Sequence, residues 1–391
     1  MRKTLILILT VFLAVVLTYG FADAITGQCS NCHTMHNSQN GAAGVVQTYA
    51  NGVITGGGTT PQNYLLLASC IACHAGATGE KTGSGAPIVV HTTNPIAQGG
   101  GNTLAGGDFY WVATGLGATD SMGHNVSGLA AADVAISANI GNNPPGWDPN
   151  ATSGLPIFGQ VTGTGEATWS SQLTCDGTYG CHGVHSQAGI TGAHHGNTGL
   201  TSNQCTVADT VGNSYRFLGG IKGLENADWN WNETASLHNE YYGVNSPTNR
   251  DLSSTTYSDK STISFSCAEC HGYFHSRIDS STSGGSPWVR HPTDINLPNI
   301  GEYNTYNPDN SNQYSVEAPV ARPTVPATSS ATVTPGTNAI VMCLSCHRAH
   351  GSPVADILRW DYTTMVAGAG APGSTTSDTG CFTCHTSKNA D

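Results

Sequence analysis

Cys-x-x-Cys-His occurs five times, at Cys29-Ser30-Asn31-Cys32-His33, Cys70-Ile71-Ala72-Cys73-His74, Cys267-Ala268-Glu269-Cys270-His271, Cys343-Leu344-Ser345-Cys346-His347 and Cys381-Phe382-Thr383-Cys384-His385. Two thiols one helical turn apart can form thioethers with the two vinyl groups of a haem, and the imidazole that follows can then reach the iron. A sixth pair, Cys175 and Cys181 followed by His182, has the same ending with five residues between the cysteines. It reads as a sixth attachment site with a stretched first half. Zinc ribbons and redox dithiols also use Cys-x-x-Cys. Neither needs a histidine after every second cysteine, and 16 histidines in 391 residues make that coincidence roughly one in 10⁸ by chance. Disulfides have no use for the imidazole either. The expected cofactors are six covalently bound haem c groups with their iron.

The six proximal imidazoles are His33, His74, His182, His271, His347 and His385, which leaves ten histidines for six distal positions. His36, His185 and His350 each stand three residues after a proximal histidine, beside one haem and directed toward another. His91, His124 and His291 are loop histidines with no other evident partner, and His275 follows His271 by four. These seven are the candidate distal ligands, with His194, His195 and His238 as second choices. Methionine is a weak rival, since only Met35, Met122, Met342 and Met365 lie beyond the first residue. Bis-histidine irons would have low potentials compared with methionine-ligated ones. Cys205, the one unpaired cysteine, reads as a free thiol.

Met1 to Ala24 has the form of a secretory signal: Arg2 and Lys3, an apolar run from Leu5 to Leu17, then Ala22-Asp23-Ala24 before cleavage. The run is short of the ~20 residues of a membrane anchor. Residues 25–391 then form a single hexahaem domain, exported to the cell surface or beyond, with the periplasm as the alternative. Losing Arg2, Lys3 and Asp23 takes the formal charge from -12 to -13. No basic stripe suggests nucleic acid. Charged residues make up only 10% of the chain, and glycine, serine, threonine and asparagine fill the gap.

Helical periodicity is scarce, so the fold is expected to be mostly coil with short helices and few strands, organised around a chain of haems. Gly41–Gly58, Gly76–Gly85, Gly99–Gly107 and Asn142–Gly165 read as loops. Ala318–Thr337, rich in proline and threonine, reads as an extended linker or edge piece without chemistry. So long a chain of loops would lack a core unless the macrocycles supplied one. Short helices are expected at the attachment motifs.

Several segments in order carry a resemblance: Cys29–Ser38, Gly-Gly-Asp-Phe-Tyr-Trp at 106–111, Gly-His-Asn-Val at 123–126, Tyr-Arg-Phe-Leu-Gly-Gly at 215–220, Arg-His-Pro at 290–292 and Cys343–His350. The chain resembles, over nearly its whole mature length, the OmcS-type hexahaem outer-surface cytochromes of metal-reducing bacteria, which polymerise into extracellular nanowires. That resemblance implies six bis-histidine haems in one continuous row, alternating parallel-stacked and T-shaped contacts, and self-association into a filament. It also implies that His36 ligates the fifth haem of the adjacent subunit, and that the partners are other cytochromes and extracellular electron acceptors. Two departures stand out: the stretched third site, which leaves Cys175 less secure than Cys181, and the added His194, His195 and His238. Against this conduit, which is no enzyme, stand a soluble periplasmic multihaem carrier and a multihaem reductase. The carrier needs every ligand from its own chain, and the reductase needs one open iron.

Overall fold

The computed structural model describes residues 28–96, 105–133, 143–147, 169–187, 189–190, 193–195, 204–226, 234–246, 259–272, 291–367 and 379–386. The signal segment, His275 and most of Asn142–Gly165 lie outside them. Regular structure is sparse and short, as expected of the composition. Among the described residues the α-helices are α1 (Cys70–Cys73) and α2 (Ile263–Ala268). Each is started by a hydroxyl that accepts a backbone N–H, Ser69 from Ala72 and Thr262 from Phe265. Among the described residues no helix is long and apolar enough to cross a membrane.

The Gly41–Gly58 stretch is not a loop but two small hairpins, β1 (Ser38–Gln39) with β2 (Ala42–Ala43), and β3 (Val46–Ala50) with β4 (Val53–Gly58). Asn51-Gly52, both at positive φ, make the turn of the second one between β-branched residues, a hairpin signal outweighed by the count of glycines. Two parallel pairs follow, β5 (Ala75–Gly76) with β6 (Val90–His91) and β7 (Thr174–Asp176) with β8 (Gly180–His182).

Six two- or three-residue strands then build one sheet: β9 (Gln204–Cys205), β10 (Gly223–Leu224), β11 (Glu240–Tyr242), β12 (Ile295–Asn296), β13 (Ala321–Arg322) and β14 (Ile340–Val341), in the spatial order 12-14-13-11-10-9. Here the linker expectation for Ala318–Thr337 needs correction. Its β13 is an interior strand between β11 and β14, with Val320 and Ala321 fully buried. Arg322, also buried, donates to Glu240 at 2.9 Å and to the carbonyls of Ser330, Thr332 and Asn338. Pro319, Pro323, Pro326 and Pro335 punctuate this segment, and the buried pair of Arg322 with Glu240 holds it to the sheet.

Three small apolar clusters take the place of one core, and each adjoins attachment motifs. Ile71 and Cys175 pack on the cluster of Val90, Phe109, Val112 and Leu129. Ala268 and Leu344 belong to that of Phe265, Tyr241 and Met342, where Cys205 is also buried. Cys384 packs on the cluster of Tyr306, Tyr314 and Val320.

Candidate haem centres

Each regular motif closes on itself before it can hold anything. The histidine N–H donates to the carbonyl of the first cysteine at 2.8 Å for His33, 3.0 Å for His74, 2.9 Å for His271, 3.1 Å for His347 and 3.0 Å for His385. That one turn is helical in all five: Cys29–Asn31, α1, the end of α2, Cys343–Ser345 and Gly380–Thr383. The third site cannot close in this way, because five residues separate its thiols. It folds instead as parallel β7 and β8 around a turn at Gly177, whose N–H donates to the His182 carbonyl at 3.1 Å.

The thiol pairs follow one another in sequence order. Burial raises Cys73 to about 11, helped by nearby Cys32 of the first motif. Cys175 is raised to about 12 by burial and then by Cys70 of the second motif, whose Sγ lies 3.9 Å from Asp176 Oδ2. Cys267 hydrogen-bonds Cys343 of the fifth motif and also adjoins Cys181 of the third. Cys346 is pushed to about 12 by burial and then by Cys381 of the sixth. The six sites therefore form an unbroken row, one to six. Among the described residues no three His, Cys, Asp or Glu converge as a metal cluster would.

The proximal imidazoles are oriented by acceptors that fix their tautomer. Nδ1 donates to the carbonyl of Tyr64 from His33 at 3.0 Å, of Pro87 from His74 at 2.8 Å, of Arg216 from His182 at 2.9 Å, of Pro145 from His271 at 2.7 Å and of Asp356 from His347 at 2.9 Å. A carbonyl can only accept, so the proton stays on Nδ1 and Nε2 keeps a free lone pair for a metal. His385 differs: its Nδ1 faces Glu302 Oε1 at 3.7 Å. Burial lowers His74, His182 and His347 below their usual range and takes His271 to about 4, so these rings are neutral and competent as ligands.

Four pairs of imidazole rings face each other, each pairing a proximal histidine with another histidine. His33 and His195 have centroids 6.2 Å apart, His74 and His194 6.4 Å, His124 and His271 6.2 Å, and His291 and His385 6.2 Å. Two imidazoles on opposite sides of one metal, each bonded through nitrogen at about 2 Å, put their ring centroids about 6 Å apart. Such a separation is too wide for stacking contact and matches a gap for an iron between the rings. The planes of these pairs are inclined by 14°, 23°, 46° and 82° respectively. The residues present thus fit haem.

His194 and His195 occupy one short turn, Ala193–His195, and face the histidines of two neighbouring motifs. They ranked below the loop histidines in the sequence because a His-His pair has no motif partner; its signal was that two adjacent rings on one turn can face two irons. His124 and His291, two of the loop histidines, face His271 and His385 in these pairs. His350 is half-buried, and desolvation first, then His182, His124 and His74, push it down to about 3. His36 is exposed, at φ 55°. No ring pair of this kind includes His182 or His347 among the described residues.

The remaining candidates are engaged elsewhere. Fully buried His91 has Nδ1 2.5 Å from Asp108 Oδ2 and Nε2 2.9 Å from the Gly79 carbonyl, so both ring nitrogens are hydrogen-bonded within the chain. Asp108 also accepts from Tyr110 N–H, and the next residue, Phe109, stacks on His350 at 4.7 Å. His185 donates from Nδ1 to Thr178 O and turns Nε2 toward Glu269 at 3.6 Å. His238 lies 3.2 Å from Glu240 and stacks on Tyr314 at 3.6 Å.

Residues 337–390, spanning the last two motifs, match the family described as Doubled CXXCH motif. Among curated proteins the chain is 26% identical over 395 aligned positions to C-type cytochrome OmcS of Geobacter sulfurreducens, covering 90% of this chain and 84% of that one. Similar solved structures are "Cryo-EM of the OmcS nanowires from Geobacter sulfurreducens" (20% identity, 94% of each chain, TM-score 0.45) and "Outer Membrane Cytochrome S Filament from Geobacter Sulfurreducens" (19% identity, 91% of this chain and 88% of that one, TM-score 0.44). The attachment turns, the tautomer-locked imidazoles and the curated relative support covalently bound haem c, and the chain is homologous to the c-type cytochrome OmcS.

Proposed function

We propose that the protein is an electron conduit: a protomer of an extracellular multihaem cytochrome filament, carrying six haems along its length to extracellular acceptors. The observation that carries this reading is the row of six abutting sites, four of which have an imidazole facing the proximal one across 6.2–6.4 Å. Bound haem supplies a reversible one-electron ferric/ferrous couple, at low potential when both axial ligands are imidazoles. The chain's own part is to hold the row. The cysteine pairs anchor each seat, the carbonyls at Nδ1 orient the proximal rings, and burial keeps the imidazoles neutral. In this assignment His195, His194, His124 and His291 are the distal ligands of the first, second, fourth and sixth sites. Half-buried His350, near His182, serves the third.

The fifth site, at His347, takes His36 from the adjacent subunit. The resemblance to filament-forming cytochromes implies this, and support comes from His36 being exposed next to the exposed Met35. After a signal peptide at 1–24, residues 25–391 act as one domain, and no iron keeps the open position a reductase needs. His36→Ala is the test. Negative-stain microscopy of the secreted fraction is expected to show short or absent filaments, and spectroscopy one five-coordinate haem per chain. Normal filaments with every iron six-coordinate would sink the proposal. The soluble-carrier reading predicts no filaments in the wild-type protein either.

A further inference from the structure

Three of the carbonyls that hold proximal histidines come from one repeated piece of backbone. Asn63–Leu65, Tyr215–Phe217 and Ala355–Ile357 are short turns, and in each the second and third residues lie in the left-handed region: Tyr64 and Leu65 at φ 57° and 55°, Arg216 and Phe217 at 49° and 59°, Asp356 and Ile357 at 60° and 57°. None of the six is glycine, and Ile357 is β-branched, the least tolerant class at positive φ. Consecutive left-handed residues of this kind persist only where their surroundings over-determine them.

The surroundings are the same three times. The first left-handed residue offers its carbonyl to the proximal histidine, Tyr64 to His33, Arg216 to His182 and Asp356 to His347, at 2.9–3.0 Å. The second offers its carbonyl to the N–H just after that histidine: Leu65 to Thr34 at 2.7 Å, Phe217 to Gly183 at 2.8 Å, Ile357 to Arg348 at 2.9 Å. A leucine follows in every case, and Leu66, Leu218 and Leu358 form isolated bridges to His33, Gly183 and His347. The sequence distance from histidine to turn differs from case to case, so the repeat is one of geometry. Sites two and four use the carbonyls of Pro87 and Pro145 instead, and site six uses Glu302.

We infer that these left-handed dipeptides are positioning devices for the proximal imidazoles of the odd-numbered sites. The chain thus holds two classes of haem seat that alternate along the row. A left-handed pair points two successive carbonyls at one side of the motif, so a single rigid turn fixes both the ring and the backbone that carries it. The device does not depend on the attachment turn: it is intact at the third site, where strands replace the helix. Ring orientation and the strength of the Nδ1–H acceptor both tune the iron a histidine binds.

The inference rests on the haem reading of the motifs, and its test separates the two. Proline cannot reach positive φ, whereas glycine reaches it freely. Leu65→Pro and Phe217→Pro are therefore each compared with Leu65→Gly and Phe217→Gly in the full-length secreted protein. Haems are counted by pyridine haemochrome, and individual irons are followed by low-spin electron paramagnetic resonance and potentiometric titration. The glycine variants are expected to keep the wild-type signals and potentials. The proline variants are expected to shift the signal and potential of one haem of six and leave the others in place. Leu65→Val, which disfavours positive φ without removing an N–H, gives the same displacement in smaller measure if the proline form does not mature. Fewer than six haems in the wild-type protein overturns the six-seat reading itself. Six haems, with signals unchanged in the proline and valine variants or shifted equally in the glycine ones, overturns the clamp alone.

Discussion

Replacing His195 with alanine removes the ring that faces His33 at 6.2 Å with an interplanar angle of 14°. The neighbouring pair, His194 with His74 at 6.4 Å, retains both of its rings. If the 6 Å gap is the space of an iron bonded to both imidazoles, this single change leaves one iron of six without a sixth ligand. About one sixth of the ferric haem then becomes high-spin, and His194→Ala together with His195→Ala brings the fraction to about one third, since irons at separate sites respond independently. Integrated electron paramagnetic resonance of the oxidised protein reads this directly, and rapid cyanide binding titrates the opened site. His91→Ala is the matched control, because its nitrogens are committed to Asp108 and Gly79. A wholly low-spin His195→Ala protein would refute the pairing. So would a high-spin sixth in His91→Ala but not in His195→Ala, which would return the distal role to His91.

Glu240→Gln breaks a buried ion pair with Arg322 and costs about 3–5 kcal/mol in chemical denaturation, as losing one partner of such a pair does. Burial alone would raise Glu240, but the His238 hydrogen bond and then Arg322 outweigh it and hold the carboxyl below its usual range. Its stabilising contribution is therefore present above the unfolded carboxylate value of about 4 and is lost as pH falls through the depressed folded value, so the variant should lose this acid-dependent step. Cys175→Ser is expected to leave the third haem on a single thioether through Cys181, visible in the pyridine haemochrome band. Loss of Cys181 or His182 should deplete that haem outright by intact mass. Glu302→Gln removes the carboxylate 3.7 Å from His385 Nδ1 and should raise the potential of one haem in spectroelectrochemical titration, because a negative charge there favours the ferric state. An unchanged set of potentials would show that Glu302 does not tune that site.

What could be read from the sequence divides along chemical lines. Thioether cysteines and proximal histidines are legible because their spacing is dictated by the haem itself, and the five regular motifs fold as the expected single turns. Distal histidines arrive from anywhere in the chain, so only packing selects them. His91 and His194 look alike in sequence, yet a carboxylate and a carbonyl occupy the two nitrogens of one, while burial and its histidine neighbours His74, His195 and His182 hold the other neutral at about 4. The β3–β4 hairpin was masked by its glycines although Asn51-Gly52 announces it. Arg322 was hidden in a proline-rich stretch because its partner, Glu240, lies on another strand, 82 residues away.

Sparse secondary structure in this chain does not mean a sparsely bonded backbone. Helices and sheets exist because buried carbonyls need donors. Here nine histidines, His33, His74, His124, His182, His185, His238, His271, His291 and His347, supply Nδ1–H groups to main-chain carbonyls. Some of the carbonyls that matter most thus belong to residues whose side chains matter little. Tyr64 is 74% exposed, yet its carbonyl orients His33. A side-chain scan that ends at alanine will pass over such a position, because alanine offers the same carbonyl. Only changes that act on φ, as proline and glycine do, can reach it. For the same reason no residue type marks these positions in the sequence: every amino acid carries the group that does the work, and only the backbone conformation decides where it points.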